Sequence, residues 1–460
     1  MLAVASQLSL FDEPQAHFDM LHVKSKLVTA ANMRKPGTIV AWTPKKENKK
    51  WHTFTAENAA SIIPLFVDEV DVYITPNQFF GWRTIANLHT LQAMFVDIDC
   101  HDVDFENDHD VLRIPALVSD RLDRIHRAGI PDPNCIVYSG RGLHLYWLIE
   151  PTHPNALPRW QACQRRLVDV CQADRQSADA TRVLRLVGSV NSKVGERVRA
   201  EQIHSTIHKF DWLHDQIMPI TRKELGEIRD IRALRAARGL QPVRHTTHSN
   251  VGSIYQRWYL VYQDLVLIIE RQITINNKGP GLAEGMRDLL LFHLANALSW
   301  FTVSDALENE IVDCAHRFTP TLSREQAKSY CSSVIDRACK TQLEGHEYRY
   351  RYKRETLYEQ LQDLIPDDLQ PRLRAIIPKE LALERDRIRK QEKRRSAGVM
   401  ERDSYLRNRK LSAVAKHELA VVLKKSGYKQ KQIAEKLGVS VRAVRNYLKY
   451  EKEETVCPLV

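Results

Sequence analysis

Two aspartates one residue apart, Asp97 and Asp99, stand at the end of the apolar run Ala93, Met94, Phe95 and Val96, with Ile98 between them. The run reads as a buried strand. Side chains alternate faces along a strand, so the two carboxylates project together, about 6 to 7 Å apart. Like charges at that spacing repel unless a cation stands between them. The pair is therefore either a divalent-metal site or the solvated outer face of an edge strand.

Further chemistry lies downstream in "YSGRGLHLYW", Tyr138 to Trp147. This stretch reads as strand, glycine-bearing tight turn, strand. It gathers Ser139, Arg141 and His144 around a turn whose backbone N–H groups can approach an oxyanion, and a phosphate suits that grouping. The alternative is a hairpin that uses Gly140 and Gly142 for positive φ, with His144 merely hydrogen-bonded. A third element, "ADATRVLRLVGSVNSK", sets Asp179 before Arg182, Arg185, Asn191 and Lys193. Alone, Asp179 reads as a salt-bridge partner. Beside the other two elements it reads as a third metal carboxylate, with basic residues near to hold phosphates.

The order of the three elements resembles the catalytic domain of the archaeo-eukaryotic primase superfamily. More narrowly, it looks like the primase or primase-polymerase domains of plasmid and mobile-element replication proteins. The residues that carry the resemblance are Asp97 and Asp99, then Ser139 and His144, then Asp179 and "RLVGSVNSK". The upstream "NQFFGWRTIANLHTLQAMFVDIDC" adds an Asn-x-Phe…Arg segment that such proteins place before the paired acids. Val187 stands where many relatives have proline before the glycine of the third motif.

The resemblance implies an α+β fold, an RRM-like sheet with flanking helices. It implies template-directed joining of nucleoside triphosphates on single-stranded DNA. Asp97, Asp99 and Asp179 would hold Mg²⁺ or Mn²⁺ in a two-metal site, the arrangement that serves in-line phosphoryl transfer. Ser139 and His144 would contact the triphosphate, with Arg141, Arg185 and Lys193 as further phosphate contacts. A following helical module would assist priming.

The 460 residues suffice for two to four domains. A net charge of +11 favours a polyanionic partner such as nucleic acid. The eight cysteines include no C-x-x-C pair, which fits reduced thiols in the cytoplasm rather than a zinc ribbon or a disulfide framework. No segment has the apolar length of a membrane span, and the N-terminus lacks a signal-peptide pattern. No G-x-x-x-x-G-K-[ST] is present, so a helicase would be a separate partner.

The expected organisation runs as follows: a flexible tail over 1–20, a catalytic domain over 21–225 and a helical accessory domain over 226–345. A basic helical linker over 346–410 and a helix-turn-helix over 411–452 complete it. Within the catalytic domain, "WRTIANLHTLQ" has a helical pattern, as do "VLRIPALVSDRLDRIHRAG" and "LPRWQACQRRLVDVCQA". The segment "SREQAKSY" opens with a Ser-x-x-Gln capping signature.

Both ends carry a short readable unit. In "KQKQIAEKLGVSVRAVRNYLKY", Gly438 fits the turn and Ser440 can cap the last helix, leaving Arg442, Arg445 and Asn446 to face duplex DNA. A helical hairpin for protein contact is the alternative. At the other end "QLSLFDEP" resembles the peptide with which bacterial replication proteins bind the sliding clamp, using Gln7, Leu8, Leu10 and Phe11. A rival for the whole chain is a non-catalytic origin-binding initiator or DNA-binding regulator. Another is a different DxD nucleotidyl- or glycosyltransferase, which the basic tail disfavours.

Overall fold

The computed structural model describes residues 9–22, 37–42, 50–99, 113–224, 226–227, 230, 251–276 and 279–454. Gln7 and Leu8 lie outside them. The chain divides into two compact units, Met1–Ile377 and Pro378–Val460.

The first unit opens with β1 (Ser9–Phe11), α1 (Pro14–Leu21), β2 (Gly37–Trp42), β3 (Lys50–Thr55), α2 (Ala56–Ile62), β4 (Tyr73–Ile74) and β5 (Gln78–Phe79). The long β6 (Leu88–Asp99) follows, then α3 (Arg113–Arg127) and the hairpin of β7 (Cys135–Tyr138) and β8 (Gly142–Thr152). Next come α4 (Leu157–Cys171) and four short strands, β9 (Leu184–Arg185), β10 (Val190–Asn191), β11 (Glu196–Arg197) and β12 (Arg199–Gln202), before α5 (Phe210–Ile217). The main sheet runs β1-β12-β7-β8-β6-β5-β2-β4-β9, with β3 on β2, and β10 pairs β11 apart from it. The fold is thus a mixed helix-and-sheet structure.

β6 is not an edge strand. It pairs β8 antiparallel, with Asp97 opposite His144 and Asp99 opposite Gly142, and it pairs β5 at its start. Both faces are covered, as Met94, Phe95 and Val96 are each fully buried. Residues on a strand with two covered faces read as a continuous apolar run, which is what Ala93 to Val96 show. Beyond β5 the other edge of β6 has no strand among the described residues, and α4 with the turn after it closes that edge. Trp160 donates to the Ala93 carbonyl (2.9 Å), Gln164 donates to the Phe95 carbonyl, and the Asp174 N–H donates to the Asp97 carbonyl (2.8 Å). Buried carbonyls need partners, so this sealing fixes where the segment after α4 must run.

Two expectations fail in the sheet-bearing part of this unit. "WRTIANLHTLQ" is not a helix: one 3₁₀ turn over Ile85–Asn87 leads directly into β6. Pairing of Gln78 with Thr90 and Phe79 with Leu88 outweighs the helical spacing of the apolar residues. Nor are residues 9–22 a loose tail. β1 pairs β12, and α1 buries Pro14, His17, Phe18 and Leu21. The approach is close: a Cβ on Gly188, whose φ is +84°, would meet Pro14 Cδ at 2.5 Å and the Asp12 carbonyl at 2.7 Å. His17 carries the contact inward, accepting the Val187 N–H at 3.2 Å and lying edge-on to Tyr146.

The helical part of the first unit comprises α6 (Val251–Asn276), α7 (Arg287–Leu298), α8 (Ser304–Phe318), α9 (Arg324–Tyr330), α10 (Ser332–Glu344) and α11 (Arg354–Leu361). Ser323 and Gln326 form a full capping box on α9. Trp258 of α6 stacks on Trp300 at 5.5 Å. The stretch from 346 to 377 is packed here rather than forming a linker. Leu357, Leu361, Leu369, Leu373 and Ile376 are buried, and Asp264 of α6 accepts the backbone N–H groups of Arg374, Ala375 and Ile376.

The second unit holds α12 (Lys379–Ser396), α13 (Arg402–Lys425), α14 (Gln430–Leu437) and α15 (Val441–Glu454). No residue of α12 is buried. The last three helices share a small core of Ala420, Ile433, Ala434 and Val444, flanked by Leu437, Val439 and Leu448. Gly438 (φ +61°) makes the tight turn after α14, and Ser440 accepts the Ala443 N–H at 3.2 Å.

Candidate active site

Asp97 is the centre of a polar cluster built where β6, β8 and the turn after α4 meet. Its Oδ1 lies 3.5 Å from His144 Nε2, and its Oδ2 accepts from Arg182 at 3.2 Å. The same guanidinium reaches Asp174 Oδ2 at 3.4 Å. Arg182 therefore bridges two carboxylates that β-sheet pairing and edge sealing bring together. Burial opposes charge on this guanidinium, but the carboxylates of Asp97 and Asp174 outweigh it and hold its pKa above the ordinary arginine value.

Asp99 ends β6 at the exposed rim, on the same face as Asp97. The Asp174 carboxyl is raised above the usual aspartate value first by burial, opposed by the Gln176 N–H and Arg182, and further by the charges of Asp97 and Asp99. Three acids thus press on one another with one guanidinium among them. His144 is buried, which lowers its pKa despite the nearby Asp97, and its Nδ1 has no hydrogen-bond partner among the described residues.

The hairpin turn between β7 and β8 packs on the turn between β10 and β11. Asn191 donates to the Ser139 carbonyl at 2.7 Å, and a Cβ on Gly140 (φ +91°) would meet Val194 at 2.8 Å. Gly142 is equally constrained, because a Cβ there would stand 2.2 Å from the Ile98 carbonyl. Ser139 is buried in this contact, while Arg141 is half-buried and Lys193 exposed. Neither of those two side chains has an ion-pair or hydrogen-bond partner among the described residues. Arg185 is engaged otherwise: it pairs with Asp71 at 2.6 Å and lies over the Tyr73 ring. Asp71 also accepts the Ser192 N–H at 3.2 Å, so it anchors both Arg185 and the turn that carries Lys193.

Asp179 shares no hydrogen bond or ion pair with Asp97 or Asp99 among the described residues, though its charge reaches the same Arg182. It is 1% exposed, and its Oδ1 accepts the Thr181 N–H (2.7 Å) and hydroxyl (2.9 Å) while its Oδ2 faces the Val303 N–H at 3.4 Å. Arg83, Glu310 and Arg182 are its charged neighbours. Glu310 in turn accepts the Ile85 N–H at 2.8 Å, and Asp313 accepts from Thr84 at 3.1 Å. Asp179 belongs to a buried network that fastens α8 to the sheet.

Asp174, which the sequence reading did not single out, lies beside Asp97 through Arg182. The only local signal was a second aspartate five residues before Asp179, in "ADRQSAD", with nothing to rank the two. Among the described residues no three His, Cys, Asp or Glu side chains form a ready-made metal cage. Yet the donor set is one that hard cations take, and Arg182 already sets positive charge between Asp97 and Asp174. As arranged, Arg182 rather than a cation holds Asp97 and Asp174 together.

In the second unit Arg442, Arg445 and Asn446 are exposed on α15. At the other end of the chain Leu10 is 75% exposed and Phe11 half-buried. Among the described residues no helix is long and apolar enough to cross a membrane.

No family profile matches the chain. A replication protein of Clostridium perfringens is 28% identical over 345 residues, 73% of this chain and 74% of that protein. Among solved structures, the AEP domain of the cyanophage S-2L primase-polymerase is 18% identical with a TM-score of 0.32, covering 45% of this chain and 97% of that one. The catalytic domain of primase RepB′, solved with initiator DNA, is 15% identical with a TM-score of 0.30 and covers 49% of this chain and 98% of its own. A further structure of primase RepB′ is 13% identical with a TM-score of 0.30 and covers 72% of this chain and 94% of its own. The chain is thus similar in sequence to a replication protein, and the solved chains it matches are described as a primase-polymerase AEP domain and as primase RepB′.

Proposed function

We propose that this protein is a metal-dependent primase or primase-polymerase of a plasmid or mobile element, making primers on single-stranded DNA. The observation that carries the reading is the cluster of Asp97, His144, Arg182 and Asp174, with Asp99 at its rim, beside a glycine-bearing turn. Asp97, Asp99 and Asp174 would hold Mg²⁺ or Mn²⁺, with Asp174 in the role that the resemblance gave to Asp179. Bound there, the cations would lower the barrier to attack by a 3′-hydroxyl and neutralise charge on the departing pyrophosphate.

The chain's own residues do the rest. His144, whose pKa burial lowers, offers a ring N–H to a phosphate oxygen at the Asp97 end of the sheet. Arg141 and Lys193, without side-chain partners among the described residues, supply positive charge from two touching turns. Arg185 orients that rim through Asp71 and keeps its charge nearby. Ser139 holds the hairpin turn close against Asn191. Arg182 keeps the two acids together and can transfer to phosphate once they take a cation.

The test is incubation with single-stranded DNA, labelled nucleoside triphosphates and Mn²⁺ or Mg²⁺. The native chain should make short products, and the variant with both Asp97→Ala and Asp99→Ala none. Equal product from both would remove the catalytic reading and leave the non-catalytic, origin-binding initiator. One observation favours that rival: Arg182 already neutralises part of the acid cluster.

The second unit extends the proposal. Three helices on a small core, with Arg442, Arg445 and Asn446 exposed on the last, suit a helix-turn-helix on duplex DNA. The sliding-clamp reading of Gln7, Leu8, Leu10 and Phe11 now carries a condition. Phe11 pairs with Ala200, so β1 must leave the sheet before Phe11 can enter another protein's pocket. A replicative helicase would be a separate partner.

A further inference from the structure

Away from the acid cluster, a cleft opens between the sheet domain and the helical part of the first unit. Its walls include Arg165 of α4, Arg175 from the turn after α4, Thr302 and Ser304 at the start of α8, and Arg349. No carboxylate lines it. Arg349 is already balanced, since it pairs with Glu347, donates to the Ser299 carbonyl at 2.9 Å and stacks over Trp300 at 4.0 Å. Arg175 spends one N–H on the Gln342 carbonyl (3.1 Å) and has no ion pair among the described residues. Its position is shaped by Gly345: a Cβ there would press on the guanidinium at 2.9 Å. Arg165 has neither a side-chain hydrogen bond nor an ion pair among the described residues, and its Nε is sealed from solvent. Two guanidinium charges therefore face one cleft with no internal counter-charge.

We propose that this cleft is a second phosphate-binding site, in which Arg165 and Arg175 grip a phosphate group of a nucleotide or of a DNA strand. A guanidinium presents paired N–H donors that match phosphate oxygens; Arg165 is half-buried with no counter-ion among the described residues, and the exposed Arg175 can turn its free donors to the same anion. The location fits a substrate phosphate, because Arg175 directly follows Asp174, which borders the acid cluster. The identification of the phosphate as a substrate's rests on the primase reading; the anion site itself rests on the cleft alone. The two sources share their chemistry: a triphosphate presents terminal oxygens, and a strand presents phosphodiesters.

The experiment uses the full chain carrying Asp97→Asn, so that nothing turns over, in EDTA at moderate salt. It measures affinity for a fluorescent nucleoside triphosphate and, separately, for a labelled single-stranded oligonucleotide with a 5′-hydroxyl. Adding Arg165→Gln and Arg175→Gln should weaken one ligand by about tenfold or more, while Lys at both positions recovers part of the loss. Loss confined to the triphosphate assigns the site to nucleotide, and loss confined to the oligonucleotide assigns it to strand. Unchanged affinity for both ligands overturns the proposal. An independent arm needs no substitution: phenylglyoxal labelling of the native chain, read by mass spectrometry, should be suppressed at Arg165 and Arg175 by the bound ligand. Labelling there that neither ligand alters also counts against the site. Because neither arm requires synthesis, a failed cleft and a failed primase reading give different results.

Discussion

Two aspartates five residues apart meet opposite fates. Asp174 stands at a partly open position, pressed by Asp97 and Asp99 and bridged through Arg182. Asp179 is enclosed, with both oxygens facing donors from Thr181 and Val303. An acid whose oxygens are filled by backbone donors in a sealed position has little left to give a cation. One crowded by like charges at the rim gains from receiving one. The two carboxyls share a short segment of sequence but not an environment.

The largest expected effect on stability follows from the enclosed member. Asp179→Ala strands two buried N–H groups and a hydroxyl at the seam between α8 and the sheet, a loss of about 3 kcal/mol. Asp174→Ala removes an acid from a repelling set and should change stability by under about 1 kcal/mol. Chemical denaturation of both variants checks the contrast.

A smaller effect is expected where the backbone itself places Asp97. Gly142→Ala forces a Cβ against the Ile98 carbonyl, so the end of β6 must shift, at a cost of about 2 kcal/mol. Thermal unfolding measures the cost, and reduced product at unchanged secondary structure would show that the paired acids moved with the strand.

The histidines that tie α1 to the sheet predict a pH dependence. Burial lowers His17 to about 3 and His22 to about 4, both below the ordinary value of 6.5. Their contribution is therefore complete above pH 6.5. It is lost as pH falls toward the folded values, because the unfolded chain takes up protons first. The slope should approach about 1.4 kcal/mol per pH unit for each histidine. Unfolding free energies between pH 7.5 and 5 test this, and His22→Gln should flatten the curve.

The smallest effect concerns the second unit. Arg442→Ala should weaken duplex binding by about 1 kcal/mol, seen by anisotropy, and leave primer synthesis on single-stranded DNA unchanged.

How much of this could be read from the chain depends on the range of the forces involved. The second half of strand β6 with its two acids, the β7–β8 hairpin and helix α4 follow from local periodicity and turn residues. Long-range pairing hid the rest. The closure of the β6 edge by Trp160, Gln164 and Asp174 spans about seventy residues or more of chain, so no spacing rule marks Asp174 as the neighbour of Asp97. The docking of residues 9–22 on Gly188 and the packing of residues 346–377 against α6 are hidden for the same reason. Polar and charged residues there have an ordinary exposed appearance until their partners are known.

The most direct measurement compares primer synthesis by Asp174→Asn and Asp179→Asn, each verified as folded, under saturating Mn²⁺. The account predicts that Asp174→Asn falls by about a hundredfold or more while Asp179→Asn retains most of its activity per folded molecule. Abolished synthesis in a stably folded Asp179→Asn protein, with Asp174→Asn fully active, would contradict it.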